Sequence, residues 1–266
     1  MKIGIFDSGL GGLIVTHGLV SHLPMYDYIY LGDTARVPYG NRSQETIYEF
    51  TRSAVEYLFG QDCALVIIAC NTASADALRK IQNDYLPLHY PDRKVLGVLI
   101  PAAEAAAAQT RNNTVGVIAT QGTVDSGAYV REIEKLDPRI SVFQQATPLL
   151  VPLIENNAIR YAGPMLDDYL QPLLESHIDT LVLACTHYPI LKDMIQARIG
   201  KNITIIAQNE LIPTKLAAYL KRHSEFDQRL TRNSTHQFLV TDLAQSTIEV
   251  ADQLFGRYLE LRKIIL

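Results

Sequence analysis

The feature that most constrains the fold of this chain is the alternation of short apolar runs with longer amphipathic segments. Seven apolar runs of three or four residues predict strands at residues 3–6, 28–31, 65–68, 95–98, 115–118, 181–183 and 203–206. Because these runs are continuous, they are typical of strands buried on both faces of a parallel sheet. Between them, apolar residues recur at three-to-four spacing, as at Ile47, Phe50 and Ala54, which predicts helices. We therefore expect an α/β fold with ligands at the carboxyl ends of the strands.

Two of the predicted strand ends resemble each other. Residues 66–72 and 181–187 each contain an apolar strand that ends in Ala-Cys and is followed by small polar residues. We interpret them as copies of one β-α unit, which predicts two pseudo-symmetric lobes, each a mostly parallel sheet flanked by helices. The first lobe is expected to comprise residues 1–97 plus 208–266, and the second residues 98–207. The active site is expected in the cleft between them.

Composition and charge disfavour several classes of protein. Lys and Arg number 24 against 28 Asp and Glu, so no excess positive charge is available for a nucleic-acid backbone. No apolar stretch approaches the roughly 18 to 20 residues of a membrane span, and the first residues lack the apolar core of a signal peptide. We therefore expect a cytoplasmic protein that binds neither nucleic acid nor membrane. The odd number of cysteines, 3, predicts free thiols rather than a disulfide framework.

A glycine-rich turn, residues 7–12, follows the first predicted strand. It lacks two features of nucleotide sites, since Ile14 stands where a dinucleotide fingerprint needs a small residue and no phosphate-loop lysine is present. Free backbone N–H groups beside the Ser8 hydroxyl favour an anionic ligand. The simpler interpretation, which this segment alone favours, is a tight turn that needs glycine for positive φ angles.

Cys70 and Cys185 are the most informative residues. Each is expected at the N-terminal end of a helix, where the helix dipole lowers the pKa of a thiol. Two such thiols on opposite sides of one carbon can serve as base and acid and invert a stereocentre without a cofactor. A zinc site needs more ligands than His187 beside Cys185, so no metal is predicted. A Cys-His hydrolase and a regulatory disulfide stay open as weaker alternatives.

Other polar residues near the strand ends are candidates for supporting roles. A carboxylate or imidazole could exchange a proton with a thiol, although a solvated surface position is the alternative for each. These candidates are Asp7, Asp33, Glu155 and His187. Small polar residues could bind a polar ligand, cap helices, or do both. They are Ser8, Asn71, Thr72, Thr120, Thr123 and Thr186.

Four motifs together resemble the successive signatures of the glutamate racemase family. They are Phe6-Asp7-Ser8-Gly9-Leu10-Gly11-Gly12, Gly32-Asp33-Thr34-Ala35-Arg36-Val37-Pro38-Tyr39-Gly40, Ala69-Cys70-Asn71-Thr72-Ala73-Ser74 and Cys185-Thr186-His187-Tyr188-Pro189. The resemblance runs from residue 3 to about 200. It implies a cofactor-independent enzyme that converts L-glutamate to D-glutamate for peptidoglycan synthesis, with two α/β lobes and commonly a homodimer.

The resemblance also implies roles for individual residues. Cys70 and Cys185 would be the catalytic thiols, with Asp7 assisting the first and with Glu155 and His187 near the second. The implied substrate-binding residues are Asp7, Ser8, Tyr39, Gly40, Asn71, Thr72, Thr120, Thr123, Thr186 and His187. No site for pyridoxal phosphate is recognisable, so no cofactor is expected.

The chain departs from the family pattern at three places: Thr147, Ile100 and Ala207-Gln208-Asn209. None of these touches the two thiols, but they leave the cleft wall and substrate preference open. A racemase for aspartate or another acidic amino acid is therefore one alternative. Another is a catalytically silent module that senses an acidic ligand, and a nicotinamide-dependent dehydrogenase is a distant one.

Overall fold

The computed structural model describes residues 1–266 and contains two parallel sheets. The strands are β1 (Lys2–Asp7), β2 (Tyr28–Gly32), β3 (Cys63–Ile68), β4 (Lys94–Gly97), β5 (Thr114–Ala119), β6 (Ser141–Ala146), β7 (Thr180–Ala184), β8 (Thr204–Ile206), β9 (His236–Val240) and β10 (Leu261–Lys263). The first sheet has the strand order β10-β9-β2-β1-β3-β4 and the second the order β6-β5-β7-β8. Every pairing is parallel, which confirms the predicted α/β class.

Helices cover the faces of both sheets. They are α1 (Gly12–His22), α2 (Gln44–Gly60), α3 (Asn71–Asp76), α4 (Leu78–Lys80), α5 (Leu86–His89), α6 (Leu99–Gln109), α7 (Gln121–Asp125), α8 (Ala128–Leu136), α9 (Leu150–Glu155), α10 (Ala162–Glu175), α11 (Lys192–Ile199), α12 (Gln208–Arg222), α13 (Ser224–Asp227) and α14 (Gln245–Phe255). Short 3₁₀ helices span Tyr39–Asn41, Ile159–Tyr161 and Tyr188–Leu191, and a π turn at Ile81–Tyr85 joins α4 to α5. None of the helices combines the length and the apolarity that crossing a membrane requires.

The two sheets repeat one topology. The order β2-β1-β3-β4 in the first sheet matches β6-β5-β7-β8 in the second, and β9 and β10 extend only the first. This confirms the predicted pair of pseudo-symmetric lobes. In each lobe the chain turns to opposite sides after two neighbouring central strands, so a crevice opens at their carboxyl ends. The exact domain boundaries at 97/98 and 207/208 stay a prediction.

Burial explains why the central strands β3 and β7 were predicted and the edge strand β6 was not; β9 and β10 were not predicted either. All residues of β3 and of β7 are buried, and such strands appear as continuous apolar runs. By contrast, β6 was not predicted, because it is an edge strand with no fully buried residue and polar side chains at Ser141, Gln144 and Gln145. The helix predicted from Ile47, Phe50 and Ala54 is confirmed as α2, and Ser43 caps it by accepting a hydrogen bond from the backbone N–H of Thr46 at 3.3 Å.

Candidate active site

A cavity of about 450 Å³ opens at the carboxyl ends of the strands of both lobes. Cys70 and Cys185, which follow the equivalent strands β3 and β7, both line it. Most of the predicted site residues line it as well, namely Ser8, Tyr39, Gly40, Asn71, Thr72, Thr120, Glu155, Thr186 and His187. Asp7 and Thr123 lie buried behind its wall. The fold therefore gathers into one place residues that are far apart in the sequence.

Cys70 is buried at the start of α3. Its Sγ accepts a hydrogen bond from the backbone N–H of Ala73 at 3.4 Å and lies 3.2 Å from Ser8 Oγ. Burial, followed by the Asp7 charge, raises the pKa of the Cys70 thiol to about 12, although the hydrogen bonds of Ser8 and Ala73 act to lower this pKa. The prediction of a lowered pKa is therefore wrong for Cys70, because loss of hydration outweighs the helix N-terminus. At neutral pH this thiol carries its proton.

Cys185 has a different environment, and its predicted place at a helix N-terminus is also wrong. The 3₁₀ helix after β7 begins only at Tyr188, and α11 begins at Lys192. The side-chain partner of Cys185 is His187, whose Nδ1 lies 3.8 Å from Sγ. On its other side, His187 Nε2 lies 3.0 Å from Glu155 Oε1. A carboxylate, an imidazole and a thiol thus form a line that ends at the cavity.

The proton on His187 decides what this line can do. Burial alone lowers the pKa of His187, but the hydrogen bonds and negative charges of Cys185 and Glu155 outweigh it and raise the pKa to about 10. The ring is therefore an imidazolium at neutral pH, and its positive charge lies beside the Cys185 sulfur. Across the same cavity, Cys70 carries a proton that it can donate.

Asp7 acts on both sides of the cavity without touching a thiol. Its Oδ2 accepts a hydrogen bond from the backbone N–H of Gly9 at 3.0 Å, whereas Oδ1 is buried without a partner. Burial raises the pKa of Asp7, and the positive charge of His187 opposes that shift. The hydrogen bonds of Cys70 go to Ser8 and Ala73, so the influence of Asp7 on that thiol is one of charge.

The turn at residues 7–12 requires glycine for a different reason from the predicted one. Positive φ angles occur at Gly127, Gly200 and Gly256 but at no glycine of residues 7–12. Instead, Gly11 lies against the other lobe, where a Cβ atom would stand 2.4 Å from His187 Nδ1. The turn therefore needs glycine for close approach rather than for an unusual backbone angle.

Three threonine hydroxyls join the two lobes beside Cys70. Thr72 Oγ1 lies 3.0 Å from Thr120 Oγ1 and 3.3 Å from Thr123 Oγ1, and the latter two are 3.0 Å apart. Thr120 also caps α7 by accepting from the backbone N–H of Thr123 at 3.4 Å. Thr120 thus both caps a helix and lines the cavity, which are the two roles predicted for these residues.

Asp33, a candidate for proton exchange, serves another purpose. Its Oδ2 accepts hydrogen bonds from Tyr39 Oη and Arg36 Nε, each at 2.5 Å, and its Oδ1 accepts one from Thr241 Oγ1 at 2.9 Å. Asp33 therefore holds the loop that carries Tyr39 rather than contacting a thiol. No three His, Cys, Asp or Glu side chains are grouped so that they could hold a metal ion.

Several cavity residues were not assigned to the site from the sequence. They are Gly9, Val37, Pro38, Asn41, Gln121, Thr147, Pro148, Val151, Pro152, Asn156 and Ala184. Residues 147–156 follow the unpredicted strand β6, so the sequence offered no strand end there. The remaining cavity residues could have been found because they are next in sequence to predicted site residues and lie in the same loops.

Comparison with known proteins places these features in a family. The sequence pattern of the Asp/Glu/Hydantoin racemase family matches residues 6–212. A glutamate racemase of Geobacter metallireducens is 40% identical, covering 96% of this chain and 92% of that protein. One of Neisseria gonorrhoeae is 41% identical, covering 97% of this chain and 94% of that protein.

Solved structures agree with these sequence relatives. A glutamate racemase isoform of Bacillus anthracis has a TM-score of 0.91 at 33% identity, over 100% of this chain and 97% of that one. The glutamate racemase of Francisella tularensis in complex with D-glutamate has a TM-score of 0.87 at 32% identity, over 99% of this chain and 97% of that one. The predicted family is thereby confirmed, and this chain belongs to the Asp/Glu/Hydantoin racemase family, among its glutamate racemases.

Proposed function

We propose that this protein interconverts L- and D-glutamate by proton transfer between the α-carbon and the thiols of Cys70 and Cys185. The observation that carries the proposal is that these two side chains line one cavity from equivalent strand ends, with the His187 imidazolium beside Cys185 and a protonated thiol at Cys70. The substrate class follows from the relatives, which are glutamate racemases, one of them solved with D-glutamate.

The proposed step conserves protons. The thiolate of Cys185 takes the α-hydrogen as a proton from one face, forming an S–H bond as the C–H bond breaks. The thiol of Cys70 then gives its proton to the opposite face, forming the new C–H bond and leaving a Cys70 thiolate. Ser8 Oγ and the N–H of Ala73 are placed to stabilise that thiolate. The opposite enantiomer uses the same steps in reverse.

Glutamate binding is assigned to hydroxyl and N–H groups. The cavity is lined by no lysine or arginine, so the substrate carboxylates would be held by neutral donors and by the His187 imidazolium. We assign this role to Ser8, Tyr39, Gly40, Asn71, Thr72, Thr120 and Thr186, with Thr123 acting through the hydroxyls of Thr72 and Thr120 and with Asp7 and His187 contributing charge. A site closed to bulk water strengthens each of these interactions at the moment when negative charge develops on the α-carbon.

The cellular setting extends the same proposal. We assign the product D-glutamate to peptidoglycan precursor synthesis, and we propose that the protein is a homodimer in the cytoplasm. All three cysteines are free thiols in the structure, and a reducing compartment keeps such thiols in the state that the reaction requires. No cofactor is assigned, because the two thiols account for both proton transfers.

Isotope exchange tests the proposed reaction directly. With either enantiomer of glutamate in D₂O and no added cofactor, we expect interconversion together with deuterium at the α-carbon, measured by proton NMR and chiral chromatography. The same assay with aspartate should be slower. Binding of glutamate without exchange of the α-hydrogen would support a silent sensing module and contradict the proposal.

The Glu155–His187 pair predicts the alkaline limit of the reaction. Since the imidazolium supports the Cys185 thiolate, activity should fall as the pH rises through the pKa of His187, at about 10. Glu155→Gln removes a negative charge that raises this pKa, so the imidazolium should lose its proton at lower pH. For each unit by which the substitution lowers the pKa of His187, we expect the imidazolium population at a pH above that pKa to be about tenfold smaller than in the unaltered protein.

Nitrogen NMR of the His187 ring and the pH profile of kcat measure this prediction independently. Glu249→Gln, an exposed carboxylate in α14, is the control and should change neither. If the ring titrates at the same pH in Glu155→Gln and in the unaltered protein, Glu155 does not tune His187.

A further inference from the structure

A closed network of buried hydrogen bonds lies behind the cavity and involves a residue that the family resemblance did not assign. Gln208 begins α12, where the chain returns from the second sheet to the first. Its side chain meets Asn71 from the first lobe and Tyr129 from α8 of the second. Gln208 also belongs to one of the three places at which this chain departs from the family pattern.

Four hydrogen bonds connect the three side chains of this network. Asn71 Nδ2 donates to Gln208 Oε1 at 2.8 Å, while Gln208 Nε2 donates to Asn71 Oδ1 at 2.7 Å and to Tyr129 Oη at 3.1 Å. Tyr129 Oη donates its own proton to Asn71 Oδ1 at 2.8 Å. Both hydrogens of Gln208 Nε2 are thereby used, and two donors converge on the Asn71 oxygen.

This convergence couples the orientation of the Asn71 amide to that of Gln208. Turning over the Asn71 amide alone would point its NH₂ group at two donors, so the network holds Asn71 in place as long as Gln208 keeps its orientation. In that orientation one hydrogen of Asn71 Nδ2 goes to Gln208 and the second has no protein partner. Asn71 lines the cavity, whereas Gln208 and Tyr129 do not.

Burial makes the network sensitive to the loss of any member. Asn71 is 3% exposed, Gln208 1% and Tyr129 0%. Water cannot readily replace a missing partner at such positions, so an unpaired amide would turn to find another.

We propose that Gln208 and Tyr129 are positioning residues that orient the Asn71 amide, so that its free N–H binds a carboxylate of the substrate. The inference rests on the proposed function for the identity of that substrate, glutamate. Because the three residues come from both lobes and from the returning chain, the network also aligns this donor with the lobe that carries Cys185.

Gln208→Met tests the proposal, since methionine keeps the length of the side chain and removes its hydrogen bonds. Without Gln208 the Asn71 amide loses its orientation, and the substrate carboxylate then loses the hydrogen bond from the Asn71 N–H. We therefore expect KM for glutamate to rise about tenfold or more, with kcat changed less than about threefold. The Kd for glutamate, measured by calorimetry, should rise in parallel. Tyr129→Phe, which leaves Gln208 in place, should show a smaller rise in both.

A double-substitution cycle separates positioning from simple destabilisation. In a protein that already carries Asn71→Ala, adding Gln208→Met should raise KM no further, because its effect passes through Asn71. Gln82→Met is the matched control, since Gln82 donates to Val95 O at 2.8 Å away from the cavity. It should lower thermal stability comparably and leave KM unchanged.

Two results would overturn the inference. One is an unchanged KM and Kd in Gln208→Met. The other is a double variant in which the increase in KM equals the product of the increases caused by Gln208→Met and by Asn71→Ala alone. Failure of the proposed function looks different, because the unaltered protein would then bind glutamate without exchanging its α-hydrogen. In that case the Kd values still decide whether Gln208 orients Asn71.

Discussion

Replacement of either Cys70 or Cys185 by alanine is expected to lower the rate of glutamate racemisation by about 10³-fold or more. Each thiol performs one of the two proton transfers, and a positioned acid or base typically contributes about 10² to 10⁴-fold. Neither loss can be repaired by the other thiol, because they face the α-carbon from opposite sides in the proposed mechanism. Initial rates from each enantiomer, followed by circular dichroism, measure the effect.

The third cysteine supplies the control for this experiment. Cys63 is equally buried and free, but it lies in the core and not on the cavity. Cys63→Ala should therefore cost some thermal stability and leave the racemisation rate unchanged. Full activity in a folded Cys70→Ala or Cys185→Ala protein would contradict the two-thiol mechanism.

The second large effect is expected for Gly11→Ala, a change of one methyl group. The added Cβ would stand 2.4 Å from both His187 Nδ1 and Thr186 Oγ1, closer than such atoms can approach. Either the turn moves away or His187 shifts from Cys185 and Glu155. We expect kcat/KM to fall by about 10²-fold, the size of effect that a misplacement of about 1 Å can produce.

Gly60→Ala is the matched control for this substitution. Gly60 is the last residue of α2, and a Cβ atom there meets nothing within 4 Å. The change should leave activity intact and add up to about 1 kcal/mol of stability, because alanine loses less backbone entropy in a helix. If Gly11→Ala were as harmless as Gly60→Ala, the lobes would not be packed as closely as the structure places them.

The sequence was most informative where local pattern and burial coincide. The strands β1, β3, β5 and β7 are buried on both faces, so their apolar runs were visible, and the cysteines after β3 and β7 could be located at strand ends. The edge strand β6 was missed, because half-exposed polar positions carry no such signal. Of the cavity wall that follows β6, only Glu155 was predicted as a site residue. Thr147, Pro148, Val151, Pro152 and Asn156 were missed.

The order of residues thus determined by itself which side chains leave the sheets at the cleft: Ser8, Cys70, Thr120 and Cys185. Only the tertiary structure decided their chemistry. Burial raised the pKa of Cys70 despite its place at a helix N-terminus, Glu155 beside His187 gave Cys185 a cationic neighbour, and Gln208 reached Asn71 from the segment that returns from the second sheet to the first. Loss of hydration and two partners distant in sequence, Glu155 and Gln208, set these properties, and the residues next to a thiol in the sequence predict neither.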